Sequence, residues 1–184
     1  VPHDTVIVAG QDLAKLQDFS TIVELTVKDN KARLTAIKQW PHTDYSVVMR
    51  QTKELYEKRH WRVLGVDETS MGEPLVESYK TMGLNVEGIK FTLITKDEMI
   101  KYTRSLLQNK MLSIGTRGAD ELRAQIKEQE MIITVSAGND PDNRRYRYGH
   151  PQGRHDDQFW ALCIACYTAR PWLTDIPIFQ IRVK

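Results

Sequence analysis

The first apolar run, Thr5-Val6-Ile7-Val8-Ala9-Gly10-Gln11-Asp12, is short and rich in β-branched residues, and it reads as a strand. Ser20 to Lys28 reads as a second strand through Ile22, Val23, Leu25 and Val27, and Asp29-Asn30 is a turn signal. From Lys31 to Trp40, Ala32, Leu34, Ala36 and Trp40 alternate with Lys31, Arg33, Thr35 and Gln39, although Ile37 and Lys38 break the parity. These runs predict a three-stranded antiparallel meander that Pro41 stops. Thr43 then caps a predicted helix through Arg59, with Tyr45, Val47, Val48, Thr52, Leu55 and Tyr56 on one stripe. Arg62 to Asp67 is a further β-rich run.

The second half of the chain alternates helix and strand signals. Pro74 lies near a helix start, Leu75, Val76, Tyr79 and Met82 form its inner face, and Gly83 ends it. Leu84 to Phe91 reads as a strand. Thr95-Lys96-Asp97-Glu98 reads as a capping box for a helix carrying Met99, Ile100, Thr103, Leu106 and Leu107 towards Asn109. Arg117 to Lys127 looks helical, Glu130 to Ser136 extended. After the turn signal of 137–143, Arg145, Tyr146, Arg147 and Tyr148 alternate, and an apolar helix follows Asp156-Asp157. The order predicts an α/β fold: a mixed central sheet, an antiparallel meander plus parallel strands, flanked by helices. We expect a single domain over 1–184, with 136–150 as an auxiliary β-hairpin.

Composition changes this picture little. At 184 residues with 41% hydrophobic content, one well-filled core is expected rather than two. No apolar run reaches the roughly 18 residues a membrane helix needs, and no signal-peptide pattern opens the chain, so no membrane partner is expected. A net charge of +2 leaves any polyanion surface to local clustering. Cys163 and Cys166 form a C-x-x-C inside the apolar helix with no second pair to complete a zinc site, so they read as buried thiols in a reducing compartment.

The acids carry the chemistry. Both Gly10-Gln11-Asp12 and Gly65-Val66-Asp67 end β-rich runs in Gly-x-Asp, and strand parity puts Val8, Gly10 and Asp12 on one face, as it does Val63, Gly65 and Asp67. In the last helix, Asp157, Ala161, Ala165 and Ala169 are spaced i+4, a narrow stripe able to lie close to a sheet. Three converging carboxylates repel one another unless a cation neutralises them, and an all-oxygen set suits Mg²⁺ or Mn²⁺. Arg144, Arg145, Arg147 and Arg154 crowd the approach to Asp156-Asp157 and suggest a clamp on a phosphate backbone.

These residues resemble the nuclease domain of the large terminase subunit of tailed viruses, within the RNase H-like superfamily. The first motif is Ala9-Gly10-Gln11-Asp12-Leu13-Ala14-Lys15 with Asp18-Phe19-Ser20; the second is Val66-Asp67-Glu68-Thr69 with Gly72. Lys96 to Leu107 matches the family's helix, and Gly153-Arg154-His155-Asp156-Asp157 with Ala161 is the last motif. The resemblance implies that Asp12, Asp67 and Asp157 are catalytic metal ligands, with Asp156 and Asp18 as supporting or second-metal residues and Glu68 in reserve. It further implies two divalent ions, Mg²⁺ or Mn²⁺, and hydrolysis of phosphodiesters in double-stranded DNA, cutting concatemeric viral genomes during packaging. Lys15 is a further candidate DNA contact. No G-x-x-x-x-G-K-[ST] phosphate loop occurs, so the chain is not the ATPase motor that usually precedes this nuclease. That motor domain, the portal and the small terminase subunit are the implied partners, and the cytoplasm of an infected host cell the implied location.

Two other readings stand beside this one. A different RNase H-like nuclease, such as a Holliday-junction resolvase, would share the acids but not the substrate. A non-catalytic DNA-binding or docking module would use Asp12, Asp67 and Asp156-Asp157 merely as caps of strands and a helix.

Overall fold

The computed structural model describes residues 5–13, 19–69, 73–115, 118–135, 144–149 and 156–174, with backbone alone for Glu73 and for 130–135 and 144–149. Strand β1 (Val6–Asp12) pairs antiparallel with β2 (Phe19–Lys28), which pairs antiparallel with β3 (Lys31–Pro41). The β2–β3 turn is tight because Asp29 and Asn30 both adopt positive φ, 49° and 59°, the handedness that matches strand twist. The parity break expected near Ile37 has a cause upstream. Leu34 pairs with Leu25 but Ala36 with Glu24, so Thr35 is an extra residue, a β-bulge that turns the rest of the strand over.

The chain then crosses the sheet twice. Helix α1 (Tyr45–Arg59) leads to β4 (Val63–Asp67), and α2 (Glu73–Thr81) to β5 (Val86–Ile89); β4 runs parallel to β1 and β5 parallel to β4. Helix α3 (Leu93–Gln108) precedes β6 (Leu112–Ser113), a two-residue strand that pairs parallel with β3 and is too short to leave a pattern in the sequence. The resulting order, β5-β4-β1-β2-β3-β6, is the expected mixed sheet with β1 near its centre. Helix α4 (Asp120–Glu128) leads to β7 (Glu130–Val135), which pairs antiparallel with β8 (Arg144–Gly149) as a separate two-stranded sheet. Helix α5 (Asp157–Thr168) and a short 3-10 turn (Arg170–Trp172) end the description.

Four elements have boundaries that differ from the sequence expectation. Asp44 rather than Thr43 caps α1, accepting from the Ser46 N–H at 2.8 Å, while the Thr43 hydroxyl donates to the Pro41 carbonyl. The α3 cap is Thr92, accepting from the Thr95 N–H at 3.0 Å, so that helix starts before the expected Thr95 box. The fourth helix starts at Asp120 rather than Arg117, and the fifth strand is shorter than 84–91.

The two sheet faces bury different material. On one face α1 and α2 cover Ala9, Ile22, Leu64 and Val66 with Val48, Leu75 and Tyr79. On the other, α5 covers Val8, Val23, Leu25 and Val63 with Ala161, Leu162, Ala165, Cys166 and Ala169, and Leu106 and Leu122 close the layer. Apart from Tyr167, every residue of α5 is buried, which accounts for its apolar character all round. Cys163 and Cys166 are free and buried, and burial raises both thiols, Cys166 to about 12, so neither supplies a thiolate near neutral pH. No described helix is long and apolar enough to cross a membrane.

Candidate metal centre

The closeness of α5 to β1 depends on missing side chains. A Cβ built on Gly10 would lie 2.8 Å from Ala165 Cα and nearer still to Ala165 N and the Ala161 carbonyl. Those obstacles are backbone and cannot turn aside. Gly65, beside Gly10 in the parallel register, would strike Thr168 and Ile164. The expected small-residue stripe therefore does lie against the glycine face of the sheet. On the same parity as those glycines stand Asp12 and Asp67, at the C-terminal ends of β1 and β4.

The first turn of α5 brings in the remaining acids. Asp157 is 8% and Asp67 6% exposed, and Asp12 is half-buried. The Asp12 carboxyl is raised well above its ordinary range, first by burial and then by the charges of Asp157, Asp67 and Asp156, in that order. The structure thus brings Asp12, Asp67, Asp156 and Asp157 into one electrostatic field. Glu68 is placed differently: its carboxylate lies 4.0 Å from Lys90 Nζ and faces Gly88.

Helix capping does not account for the paired aspartates. Asp156 occupies the N-cap position of α5 but makes no side-chain cap hydrogen bond; its Oδ2 accepts from the Trp160 indole at 2.8 Å instead. A first-turn N–H, that of Phe159, donates to the Gln125 side chain of α4 at 2.9 Å, leaving that duty to a neutral group. Asp67 Oδ1 accepts from the Thr69 N–H at 2.7 Å. Behind the sheet, Gln11 is wholly buried, donating to Thr52 and accepting from Tyr79, so the strand end that carries Asp12 is fixed from its opposite face.

Among the described residues, no three acid, histidine or cysteine side chains are already gathered as a metal-ligand set. The hydrogen bonds to Thr69 and Trp160 hold Asp67 and Asp156 as they stand. The donor chemistry nevertheless fits a hard divalent cation: carboxylate oxygens at the ends of two strands and one helix, whose mutual repulsion such a cation would relieve. Asp18, Lys15 and Arg154 lie outside the described residues. Arg144, Arg145 and Arg147 lie on β8, opposite Val135, Thr134 and Ile132, and their side chains lie outside the description too.

Comparison with known proteins agrees with this architecture. The family model for the terminase RNase H-like domain matches residues 9–168. The fold is similar to that of the large terminase nuclease from thermophilic phage G20c with bound magnesium, at 17% identity over 89% of this chain and 82% of that one, TM-score 0.75. The cobalt-bound form of that nuclease matches at 18% identity over 89% and 81%, TM-score 0.73. The large terminase of another thermophilic bacteriophage matches at 12% identity and TM-score 0.67, covering 91% of this chain but 40% of that one. No curated protein matches the sequence.

Proposed function

Since the chain belongs to the terminase RNase H-like domain family, we propose that it is a divalent-metal-dependent endonuclease that cuts double-stranded DNA during viral genome packaging. The observation that carries this reading is the convergence of Asp12, Asp67 and Asp157 at the sheet ends, where each raises the cost of the others' charge unless a cation joins them. Asp12, Asp67 and Asp157 are the direct ligands, with Asp156 and Asp18 in support. Two Mg²⁺ or Mn²⁺ ions would supply a nucleophile at neutral pH and charge stabilisation for the leaving 3′ oxygen. The chain's own part is to carry these carboxylates at the ends of β1 and β4 and the start of α5, elements that the glycines of the sheet let pack closely together.

The arginine-bearing hairpin strand β8 and the loop lysine Lys15 serve as contacts to the DNA backbone in this reading. The second of the two phage terminases compared above spans more than twice this chain. A motor domain, a portal and a small terminase subunit are the partners proposed here, in the cytoplasm of an infected cell.

Cleavage of a supercoiled plasmid tests this directly. Nicking and linearisation should require Mg²⁺ or Mn²⁺ and stop with chelator. Asp12→Asn, Asp67→Asn and Asp157→Asn should each lose more than about 100-fold in rate, whereas Asp156→Asn, a supporting group, should lose about 10–100-fold. Full activity in chelator would overturn the metal mechanism. Normal cutting by Asp157→Asn with none by Asp156→Asn would reverse the assignment within the pair.

A further inference from the structure

Lys96 stands in the first turn and a half of α3, where the helix macrodipole disfavours a cation and no acidic residue of that turn offsets it. Among the described residues no carboxylate lies within 4.0 Å of its ammonium, in contrast to Lys101, which pairs with Asp97 one turn on. Two aromatic rings hold it instead. Lys96 Nζ is 4.6 Å from the centre of the Trp160 ring and 5.0 Å from that of Phe91, and these rings touch at 5.3 Å between centroids.

Both rings lead directly to the acids. The Trp160 indole N–H donates to Asp156 at 2.8 Å. The Phe91 N–H donates to Thr69 Oγ1 at 2.6 Å, and the Thr69 N–H donates to Asp67 Oδ1 at 2.7 Å. Helix α5 and the segment that joins β5 to α3 thus each present Lys96 with a ring whose residue is tied to an acid of the site. The lysine charge reaches Asp12, where it opposes the repulsion from the other carboxylates. A flexible stem packed on rings, its ammonium paired with no carboxylate among the described residues, is a cation held at the rim of an anionic centre.

We infer that Lys96 is a phosphate-contact residue of this site, its ammonium engaging a non-bridging oxygen of the DNA strand laid across the carboxylates. The inference rests on the nuclease reading above. Acids that attract a metal also repel a polyanion, and a cation held at their edge lets a phosphate approach. Packing against Phe91 and Trp160 limits the freedom the side chain has left to lose on binding.

The test measures DNA binding and metal binding separately. Lys96→Met keeps an unbranched chain over the two rings, so the fold should survive, and Lys96→Arg keeps the charge. Fluorescence anisotropy with a labelled duplex in chelator reads affinity without cutting. One lost phosphate contact should flatten the slope of log affinity against log salt by about 0.9, which is roughly eightfold in affinity at 0.1 M salt relative to 1 M. Lys96→Arg should stay near the parent. Mn²⁺ affinity by titration calorimetry should be unchanged or tighter in Lys96→Met, because the acid cluster has lost a neighbouring positive charge. A loss of DNA affinity with no loss of Mn²⁺ affinity is what a purely structural role would not produce. An unchanged salt slope in Lys96→Met would overturn the inference, as would parallel loss of DNA binding, Mn²⁺ binding and thermal stability. If the parent bound DNA and Mn²⁺ but never cut, with the slope change still present, the nuclease reading would fall and the phosphate contact would stand.

Discussion

Two acids on neighbouring strands meet opposite fates. Glu24, on β2, is 1% exposed on the face covered by α1, and it accepts from Arg59 Nε at 2.9 Å, Arg59 Nη2 at 2.5 Å, Trp61 Nε1 at 2.7 Å and Thr35 Oγ1 at 2.6 Å. Burial alone would push its carboxyl up, but the hydrogen bonds from Arg59, Thr35 and Trp61 and the Arg59 charge outweigh it, leaving the group below its ordinary value. Asp12, on β1 and the α5 face, is raised instead, first by burial and then by the charges of Asp157, Asp67 and Asp156. One face has spent its buried acid on stability. The other brings acids together whose charges raise the carboxyl of Asp12, a repulsion that a divalent cation would relieve.

The largest expected effect comes from the glycine that makes the α5 face possible. A methyl group at Gly10 meets the backbone of Ala165 and Ala161, so α5 must lift from β1. Gly10→Ala should cost about 3 kcal/mol, at the high end for overpacking, and should separate Asp157 from Asp12. At Gly65 the first obstacle is the Thr168 side chain, so Thr168→Ala should restore part of the stability lost in Gly65→Ala. Thermal melts of the single and double variants check both. If Gly10→Ala melts with the parent, the close approach of α5 does not shape the site.

The second prediction concerns the satisfied acid. Glu24→Gln removes the charge that Arg59 and Trp61 are arranged to meet, but Arg59 is 43% exposed and can turn to water. The loss should therefore be about 2 kcal/mol, below the roughly 3–5 kcal/mol of a fully buried pair. Because the folded carboxyl lies below its ordinary value of 4.5, its contribution is complete above that pH and is lost as pH falls through the folded value. Parent and variant stabilities should accordingly converge in acid. Urea titrations carried from neutral pH down into acid show whether they do, and a gap that widened in acid would remove the contrast with Asp12.

The contrast also shows what sequence makes legible. Periodicity is enough to put Gly10, Asp12, Gly65 and Asp67 on one face and Asp157 with Ala161 and Ala165 on another, because faces follow from local geometry. The bulge at Thr35 is visible only as broken parity near Ile37, since an extra residue displaces everything after it. The Glu24–Arg59–Trp61 cluster joins residues 35 to 37 apart in sequence and leaves no periodic trace. Lys96 is legible as a residue near a helix start but not as a cation beside acids, because one of its rings, that of Trp160, arrives from α5, 64 residues on. The Thr92 cap escapes the sequence for a smaller reason: Thr95 three residues later offers the same chemistry, and only the fold decides which threonine faces the free N–H groups.

The smallest effect is the most pointed, because its sign should reverse with metal. With its carboxyl raised in the fold, Asp12 holds its proton more tightly folded than unfolded, so stability falls as pH rises from the ordinary aspartate value through the folded one. At neutral pH the raised carboxyl is therefore a cost to the metal-free protein. Asp12→Asn removes that cost with a nearly isosteric side chain, and should raise metal-free stability by about 1 kcal/mol, or about 2–4 °C in melting temperature. Millimolar Mn²⁺ should then stabilise the parent through preferential binding to the folded state, while the asparagine variant, a poorer ligand set, gains less. The order of the two melting temperatures should invert. If Asp12→Asn were less stable than the parent without metal, Asp12 would be a structural acid like Glu24, and the division between the faces would fail. An inversion, by contrast, ties the instability of the metal-free face to cation binding, in one pair of melts that needs neither DNA nor catalysis.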